Sequence, residues 1–171
     1  MEITILVDNP NSWIHPFADE LQKKLSGLGH SVRPSKSWKD FQTGDIALFL
    51  GCEEIVPREG LLLHKHNLVV HASNLPKGKG WSPTTWQILE GKNSLPIVLF
   101  EAATAVDSGP IYFKETIELM GHELVDEIRE QVGHATIRLA LKFIGNYPVV
   151  SGETQVGTET FYDRRLPKHS E

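Results

Sequence analysis

Cysteine is nearly absent from this sequence, whose 171 residues contain only Cys52. No disulfide can form within the chain and no cysteine-rich zinc site exists, so a reducing, cytoplasmic environment is expected. Long apolar runs and a basic, apolar leader are also missing, which argues against a membrane span or a secretion signal. Lys and Arg number 17 against 22 Asp and Glu, a formal charge of −5 without long runs of either sign. A general nucleic-acid-binding surface is therefore not expected.

The composition fits one folded unit. Apolar residues make up 40% of the chain, which at this length is enough for one domain with a core and too little for two ordinary domains. The sequence turns polar from Ser151 onward. We therefore predict one domain over residues 1–150 and a C-terminal extension over residues 151–171.

Strand and helix signals alternate along the domain. Ile3 to Val7 is a short β-branched run, which is typical of a buried strand. The last helix has apolar residues at spacings of three and four, namely Leu124, Ile128, Val132, Ala135, Leu139 and Phe143. Before it, Ser82 followed by proline predicts an N-cap and a helix start. That shorter helix should bury a stripe of Trp86, Ile88 and Leu89.

This alternation predicts an α/β fold, an open and mostly parallel twisted sheet with helices on both faces. Ligands of such sheets bind beyond the carboxyl ends of the strands. The loops that should meet there follow Val7, Leu50, His71 and Phe100. A ligand site is therefore expected at these four loops.

Two of these loops carry unusual residues. His71 ends a buried apolar strand and precedes a glycine-rich turn that leads into the helix at Ser82. Asp107 lies on a turn with Gly109, between two predicted strands. Each residue has a plain structural explanation when taken alone. A histidine at a strand end is more often structural, and a carboxylate on a glycine turn usually accepts backbone N–H bonds.

Together the two segments resemble the formyltransferases that use 10-formyltetrahydrofolate. The resemblance extends from about Asp45 to Tyr112. It rests on His-x-Ser-x-Leu-Pro-Lys-Gly-x-Gly-Trp-Ser-Pro at 71–83, on Trp-Gln-Ile-Leu-Glu-Gly at 86–91 and on the Asp-x-Gly turn at Asp107. These motifs are similar to those of the branch that contains sugar N-formyltransferases and methionyl-tRNA formyltransferase-like proteins. It implies a Rossmann-like formyltransferase fold, which agrees with the predicted sheet.

The resemblance also implies an enzyme in which a substrate amine attacks the formyl carbon and a tetrahedral oxyanion forms. Such a step needs hydrogen-bond donors for the developing charge and a base for the amine proton. By the family pattern, His71 donates to the oxyanion or shuttles the proton. Asp107 then orients His71 and holds it charged.

One position departs from the family pattern. Where its members have an asparagine two residues before the histidine, this chain has Val69, and a valine side chain donates no hydrogen bond. Asn67 shares that strand face one repeat further back, roughly 7 Å along the strand. Asn74, in the loop just past His71, is the better substitute as a third catalytic group. The alternative is that Asn74 only caps its turn.

The family binds the pterin ring of its co-substrate largely through backbone groups of two loops, which correspond here to residues 51–56 and 101–106. The candidate cofactor-binding residues are Cys52, Ile55, Val56, Ala103 and Thr104. For Cys52 the alternative is a small buried apolar residue. For Ile55 and Val56 it is ordinary core packing.

Two further features have weaker functional interpretations. The spacing of His64, His66 and His71 matches no common ligand motif, and no metal is predicted. Gly78-Lys79-Gly80 is suited to cradle a phosphate before the following helix, and Lys77 and Lys79 add charge that would attract a nucleotide diphosphate. A tight turn explains the same glycines.

By resemblance, the preferred acceptor is an amino sugar attached to a nucleotide. Methionyl-tRNA formyltransferases carry a further C-terminal domain that holds the tRNA, for which this acidic chain has no room. The expected partner is therefore a small-molecule amine, with no nucleic acid and no membrane, and a homodimer is left open. Two alternatives also stay open. One is a non-catalytic relative that binds a folate or a nucleotide, and the other is a hydrolase that releases formate from formyltetrahydrofolate.

Overall fold

A computed structural model describes residues 1–165 of the protein. The strands are β1 Glu2–Leu6, β2 Ser31–Ser35, β3 Gly44–Phe49, β4 His64–His71, β5 Lys79–Gly80, β6 Ser94–Glu101, β7 Ile111–Glu118 and β8 Phe161–Tyr162. The helices are α1 His15–Gly27, α2 Arg58–Leu61, α3 Pro83–Leu89 and α4 Val125–Asn146, with a 3-10 turn at Trp38–Asp40. Six strands form one sheet in the order β2-β1-β3-β4-β6-β7, and β5 pairs separately with β8.

The sheet is parallel over β1 to β4 and antiparallel at one edge. β1 pairs in parallel with β2 and β3, and β3 with β4. β6 then runs antiparallel to β4, and β7 antiparallel to β6. The predicted α/β class with a mostly parallel, Rossmann-like sheet is confirmed.

The direction of β6 corrects one expectation. The carboxyl end of a strand that runs against its neighbours lies away from their carboxyl ends. Glu101, the last residue of β6, accordingly lies opposite Leu68 in the middle of β4. The loop after Phe100 therefore does not begin at the edge where the parallel strands end, and it must fold back to reach that edge.

The two faces of the sheet are covered unequally. α1 and α4 pack on one face, where a large apolar cluster includes Leu21 and Phe143. The predicted stripe of α4 is buried as expected, except that Leu124 precedes the helix and is exposed. Among residues 1–165, the opposite face carries the 3-10 turn, α2 and loops, around a small cluster that includes Phe49. This thin cover leaves space beside the carboxyl ends of β3 and β4.

α3 lies where it was predicted, but its cap and its buried side were predicted wrongly. Ser82 has a left-handed backbone with φ of 53° and makes no side-chain cap. Ile88 and Leu89 are 37% and 57% exposed, whereas Gln87 is buried. The Gln87 amide donates to the carbonyl of Ala72 at 2.5 Å, so a polar contact with the loop after β4 decides which side of this short helix faces inward.

The chain beyond Pro148 packs along the site-bearing loops. Ile111 exchanges two backbone hydrogen bonds of 2.8 Å with Glu153, and the tail then forms β8 beside β5. The last six residues of the predicted extension, 166–171, lie outside the described residues. Within residues 1–165, no helix combines the length and the apolar character needed to cross a membrane.

Candidate active site

A cavity of about 930 Å³ opens at the carboxyl ends of β1, β3 and β4. His71 and Asp107 both line it, although 36 positions separate them in the chain. The wall beside His71 is apolar and is formed by Phe49, Val56, Leu61, Val69, Phe100 and Ala102. The cavity therefore combines a polar pair with an apolar surface.

His71 is fixed by a hydrogen bond to its own loop. The residue is 8% exposed, and its Nε2 lies 2.7 Å from the carbonyl oxygen of Gly78. Because a carbonyl only accepts, Nε2 carries the proton and donates. In the neutral ring Nδ1 then holds the lone pair. Nδ1 is thus the His71 atom that can take up a proton.

Asp107 lies close to that atom. Its Oδ2 is 3.8 Å from Nδ1 of His71, which is too long for a hydrogen bond and close enough for an ion pair once Nδ1 is protonated. The same oxygen accepts a 2.8 Å hydrogen bond from the Gly80 amide. The backbone of Asp107 is left-handed, with φ of 49°, a conformation that aspartate tolerates better than most residues.

The loop that carries Asp107 reaches His71 by folding back over the thinly covered face. Its first residue, Ala102, donates to the carbonyl of Asn67 at 2.6 Å, four positions before His71 on β4. Gly109 closes the return, and a side chain there would place its Cβ 1.8 Å from the Glu101 carbonyl oxygen. Glycine is required at this close approach of two backbones.

The structure does not bring an amide side chain to the position of the missing asparagine. Val69 lines the cavity as expected from its strand face. Asn67 is buried beneath it and donates to the Leu61 carbonyl at 2.8 Å. Asn74 is exposed, is absent from the cavity lining, and its carbonyl accepts from the Lys77 amide. Of the three predicted catalytic residues, the fold brings His71 and Asp107 together. Asn74 stays outside the cavity, in the turn that follows β4.

The loop after β3 lines the cavity and is held by a carboxylate. Both oxygens of Asp8, at the end of β1, accept from the Glu53 amide, and one accepts from the Glu54 amide at 2.7 Å. Ile55 is 58% exposed and Val56 is buried, and both line the cavity. These hydrogen bonds hold the backbone of the loop against the end of β1.

Cys52 lies in the same loop and is mostly buried. Its Sγ donates to the Leu6 carbonyl at 3.4 Å, and it too lines the cavity. Burial raises the pKa of the thiol to about 12, with the charge of Asp8 as the second cause. The thiol is therefore neutral at physiological pH.

The second predicted binding loop contributes in part. Ala103 lines the cavity together with Val106, whereas Thr104 is exposed and lies outside the lining. Side chains on this loop are short, so its backbone lies close to the space that it encloses.

The mouth of the cavity is spanned by polar contacts from three parts of the chain. Glu53 accepts from the Asn9 amide at 2.6 Å and pairs with Arg164 of the tail. These two contacts, the Asn9 hydrogen bond first, lower the pKa of the Glu53 carboxyl. Arg164 and Arg165 also line the cavity.

The prediction that Lys79 of the Gly78-Lys79-Gly80 segment attracts a phosphate is wrong. Lys79 is 2% exposed, and its ammonium pairs with Glu159 at 2.5 Å. Both glycines have positive φ, and a Cβ on Gly80 would lie 2.5 Å from the Tyr162 carbonyl oxygen. The glycines serve the close approach of β8. Across the described part of the chain, no group of three or more His, Cys, Asp or Glu side chains is arranged to hold a metal ion.

Sequence reasoning did not single out Asp8 or Gln155. A carboxylate at the end of a buried strand is a recognisable signal for Asp8. Gln155 donates to the carbonyls of Asp107 and Gly109. It is one polar residue in a polar tail, so no sequence pattern around it indicates this role.

The sequence profile described as formyl transferase matches residues 35–143. This span is more than half of the chain and contains both His71 and Asp107. The protein therefore belongs to the formyl transferase family.

Similar proteins agree with this assignment. A methionyl-tRNA formyltransferase of Alkaliphilus oremlandii is 28% identical over 119 residues, which is 68% of this chain and 38% of that protein. The structure of a methionyl-tRNA formyltransferase from Clostridium thermocellum superimposes with a TM-score of 0.82 at 22% identity, over 99% of this chain and 75% of that one. The formyltransferase PseJ from Anoxybacillus kamchatkensis, crystallised with a UDP-linked formamido sugar and tetrahydrofolate, gives 0.73 at 16% identity, over 95% and 85%.

The chain spans about two fifths of the length of the curated relatives that it matches. The structural likenesses are below 25% identity and establish the fold.

Proposed function

We propose that this chain catalyses transfer of a formyl group from 10-formyltetrahydrofolate to a primary amine, with His71 and Asp107 as the catalytic pair. The observation that carries the proposal is their meeting at 3.8 Å inside the cavity of a formyl transferase fold. An amine that attacks a formyl carbon must lose a proton. His71, with Asp107 beside it, can accept this proton.

The proposed roles follow from the hydrogen bonds of the two residues. With Nε2 donating to Gly78, the free lone pair on Nδ1 of His71 accepts the amine proton. The ring then becomes a cation 3.8 Å from the Asp107 carboxylate. The carboxylate stabilises this cation because the site is partly shielded from water. Protonated Nδ1 can return the proton to the leaving nitrogen. Of the two roles that the family pattern implies for His71, this geometry favours proton transfer.

Valine at position 69 implies that formyl transfer by this chain is slow. Charge that develops on the formyl oxygen is normally stabilised by preorganised donors, and the apolar wall beside His71 supplies no side-chain donor at this position. The same residue supports the second candidate, a non-catalytic relative that binds a reduced folate and transfers nothing.

The residues around the cavity fit a reduced folate. The volume of about 930 Å³ lies within the usual range for small-molecule sites, the wall from Phe49 to Ala102 is apolar, and loops 51–56 and 102–106 present backbone groups. Cys52, Ile55, Val56 and Ala103 are the proposed contacts, with Thr104 outside the lining. When bound, 10-formyltetrahydrofolate supplies the formyl group.

The proposed acceptor is a nucleotide-linked amino sugar, and the proposed location is the cytoplasm. The complex of PseJ with a UDP-linked formamido sugar and tetrahydrofolate supports such an acceptor. The methionyl-tRNA formyltransferases among the relatives make aminoacyl-tRNA the competing acceptor. An acidic chain, with 17 basic against 22 acidic residues, favours the smaller acceptor because tRNA binding depends on clustered basic side chains.

The test is calorimetric titration with 5-formyltetrahydrofolate, a stable folate analogue, followed by turnover assays with 10-formyltetrahydrofolate. Nucleotide-linked amino sugars and methionyl-tRNA are compared as acceptors, and release of tetrahydrofolate is measured. His71→Ala and Asp107→Asn should keep binding and lose turnover. His122→Ala, an exposed histidine outside the cavity, is the matched control and should behave as the unmodified chain.

The outcomes separate the candidate functions. Release of formate without an amine identifies a hydrolase that uses the same pair. Binding without turnover identifies the non-catalytic relative. Absence of binding up to millimolar concentration would overturn the proposal.

A further inference from the structure

The tail after α4 contacts both halves of the proposed catalytic pair. It runs past the Asp107 loop at residues 153–155 and past the loop after His71 at residues 159–162. A role of this tail in catalysis rests on the proposed function.

The Asp107 loop has little to hold it from within. Between Ala102 and Pro110 its side chains are short, and Ser108, which donates to the Ala105 carbonyl at 2.7 Å, makes the one side-chain hydrogen bond inside the described loop. A left-handed aspartate backbone costs about 1 kcal/mol or more unless its surroundings impose it. Contacts from outside the loop therefore fix Asp107. The Gly80 amide holds its carboxylate at 2.8 Å, and the backbone of the turn needs a second restraint.

Gln155 supplies that restraint. Its Nε2 donates to the carbonyl of Asp107 at 2.9 Å and to the carbonyl of Gly109 at 2.8 Å. Both acceptors are carbonyls, so the orientation of the amide is settled, and Oε1 is left buried without a partner. The neighbouring bridge between Ile111 and Glu153 anchors this stretch of tail to β7. Gln155 thus spans the turn on which Asp107 lies.

The other half of the pair is anchored by the same tail a few residues later. Thr160 Oγ1 accepts from the Gly78 amide at 2.8 Å, and Gly78 is the residue whose carbonyl receives the His71 proton. The Thr160 carbonyl accepts from the Lys79 amide at 2.9 Å, and Glu159 neutralises the buried Lys79 ammonium. Both catalytic loops are therefore attached to a segment of ten residues, 153–162.

We propose that Gln155 is a positioning residue of the catalytic centre, which holds Asp107 at its distance from His71. Gln155 touches neither reacting group and acts through the backbone of the Asp107 turn. Without its two hydrogen bonds the turn relaxes. The Gly80 amide alone then holds the carboxylate, and the distance between the carboxylate and Nδ1 of His71 changes.

The test replaces Gln155 with methionine, which keeps the length and removes both donors. Displacement of a catalytic group by about 1 Å costs on the order of 10²-fold in rate, so Gln155→Met should lower kcat by about that factor. Binding of 5-formyltetrahydrofolate should change by less than about threefold, since Gln155 contacts Asp107 and Gly109 and not the proposed folate-binding residues 102–106, and the loop after β3 is untouched. Gln42→Met, the same change at an exposed glutamine outside the cavity, is the control.

A second readout separates positioning from mere stability and does not need turnover. At fixed pH and well below the unfolding temperature, the ¹⁵N and ¹³C shifts of the His71 ring in Gln155→Met should move toward those of Asp107→Asn. If they move while the unmodified chain transfers no formyl group, the proposed function fails and the positioning role stands. If Gln155→Met is folded and leaves both the His71 shifts and kcat unchanged, the positioning role is overturned.

Discussion

Replacing Val69 with asparagine tests whether a missing donor limits this site. Val69 and His71 are two residues apart on β4, so their side chains point to the same face, roughly 7 Å apart along the strand. An asparagine at 69 would place an amide N–H in the cavity that Val69 now lines. One preorganised oxyanion donor is worth on the order of 10² to 10³ in kcat, or about 2.7–4 kcal/mol of transition-state stabilisation.

The same substitution has an opposing effect on stability. Val69 lies between Phe49 and Phe100 on the neighbouring strands, and an amide without a partner among such groups costs about 1–3 kcal/mol. Since Val69 is half-buried and borders an open cavity, the lower figure applies. The melting temperature of a chain this long should then fall by about 2–4 °C. The expected transition-state stabilisation of about 2.7–4 kcal/mol is larger than this loss of folding free energy.

The assay measures kcat/KM for formyl transfer and the melting temperature for Val69→Asn, Val69→Thr and Val69→Ala. We expect kcat/KM to rise about 10²-fold or more for asparagine, less for threonine, whose hydroxyl is shorter, and not at all for alanine, which only adds space. A folded Val69→Asn chain with an unchanged or lower rate would refute the argument that the absent donor limits catalysis.

Two further predictions concern buried groups. Glu159→Ala leaves the 2%-exposed Lys79 ammonium without its half-exposed carboxylate partner. Because water screens the Glu159 side of the pair, the loss should cost about 1–3 kcal/mol and lower the melting temperature by about 2–12 °C. Lys79→Met combined with Glu159→Ala should recover most of that loss, and a double variant as unstable as the single one would contradict the ion-pair argument. Because burial raises the pKa of Cys52 to about 12, little thiolate exists at pH 8, and a disulfide reagent should label it on the order of 10³-fold more slowly than free cysteine. Labelling at the rate of free cysteine would show that the thiol is exposed.

Local patterns in the sequence determined much of the framework. The spacing of Ile128, Val132 and Phe143 was enough to predict α4 and its buried side, because helical periodicity is a property of neighbouring residues. The segment from His71 to Pro83 carried a motif long enough to indicate the family, and the formyl transferase profile confirms it. Each of these features is encoded within a short stretch of chain.

The tertiary structure alone decided how the site is assembled. The direction of β6 follows from pairing with β4 and β7, and no residue within β6 signals it. Lys79 resembled a phosphate ligand in the sequence, yet its side chain is buried and its ammonium pairs with Glu159, 80 positions away. Gln155 reaches Asp107 across 48 positions. Such contacts depend on which surfaces meet when the chain packs, and that information is spread over the whole fold, whereas strand and helix periodicity can be read from a few adjacent residues.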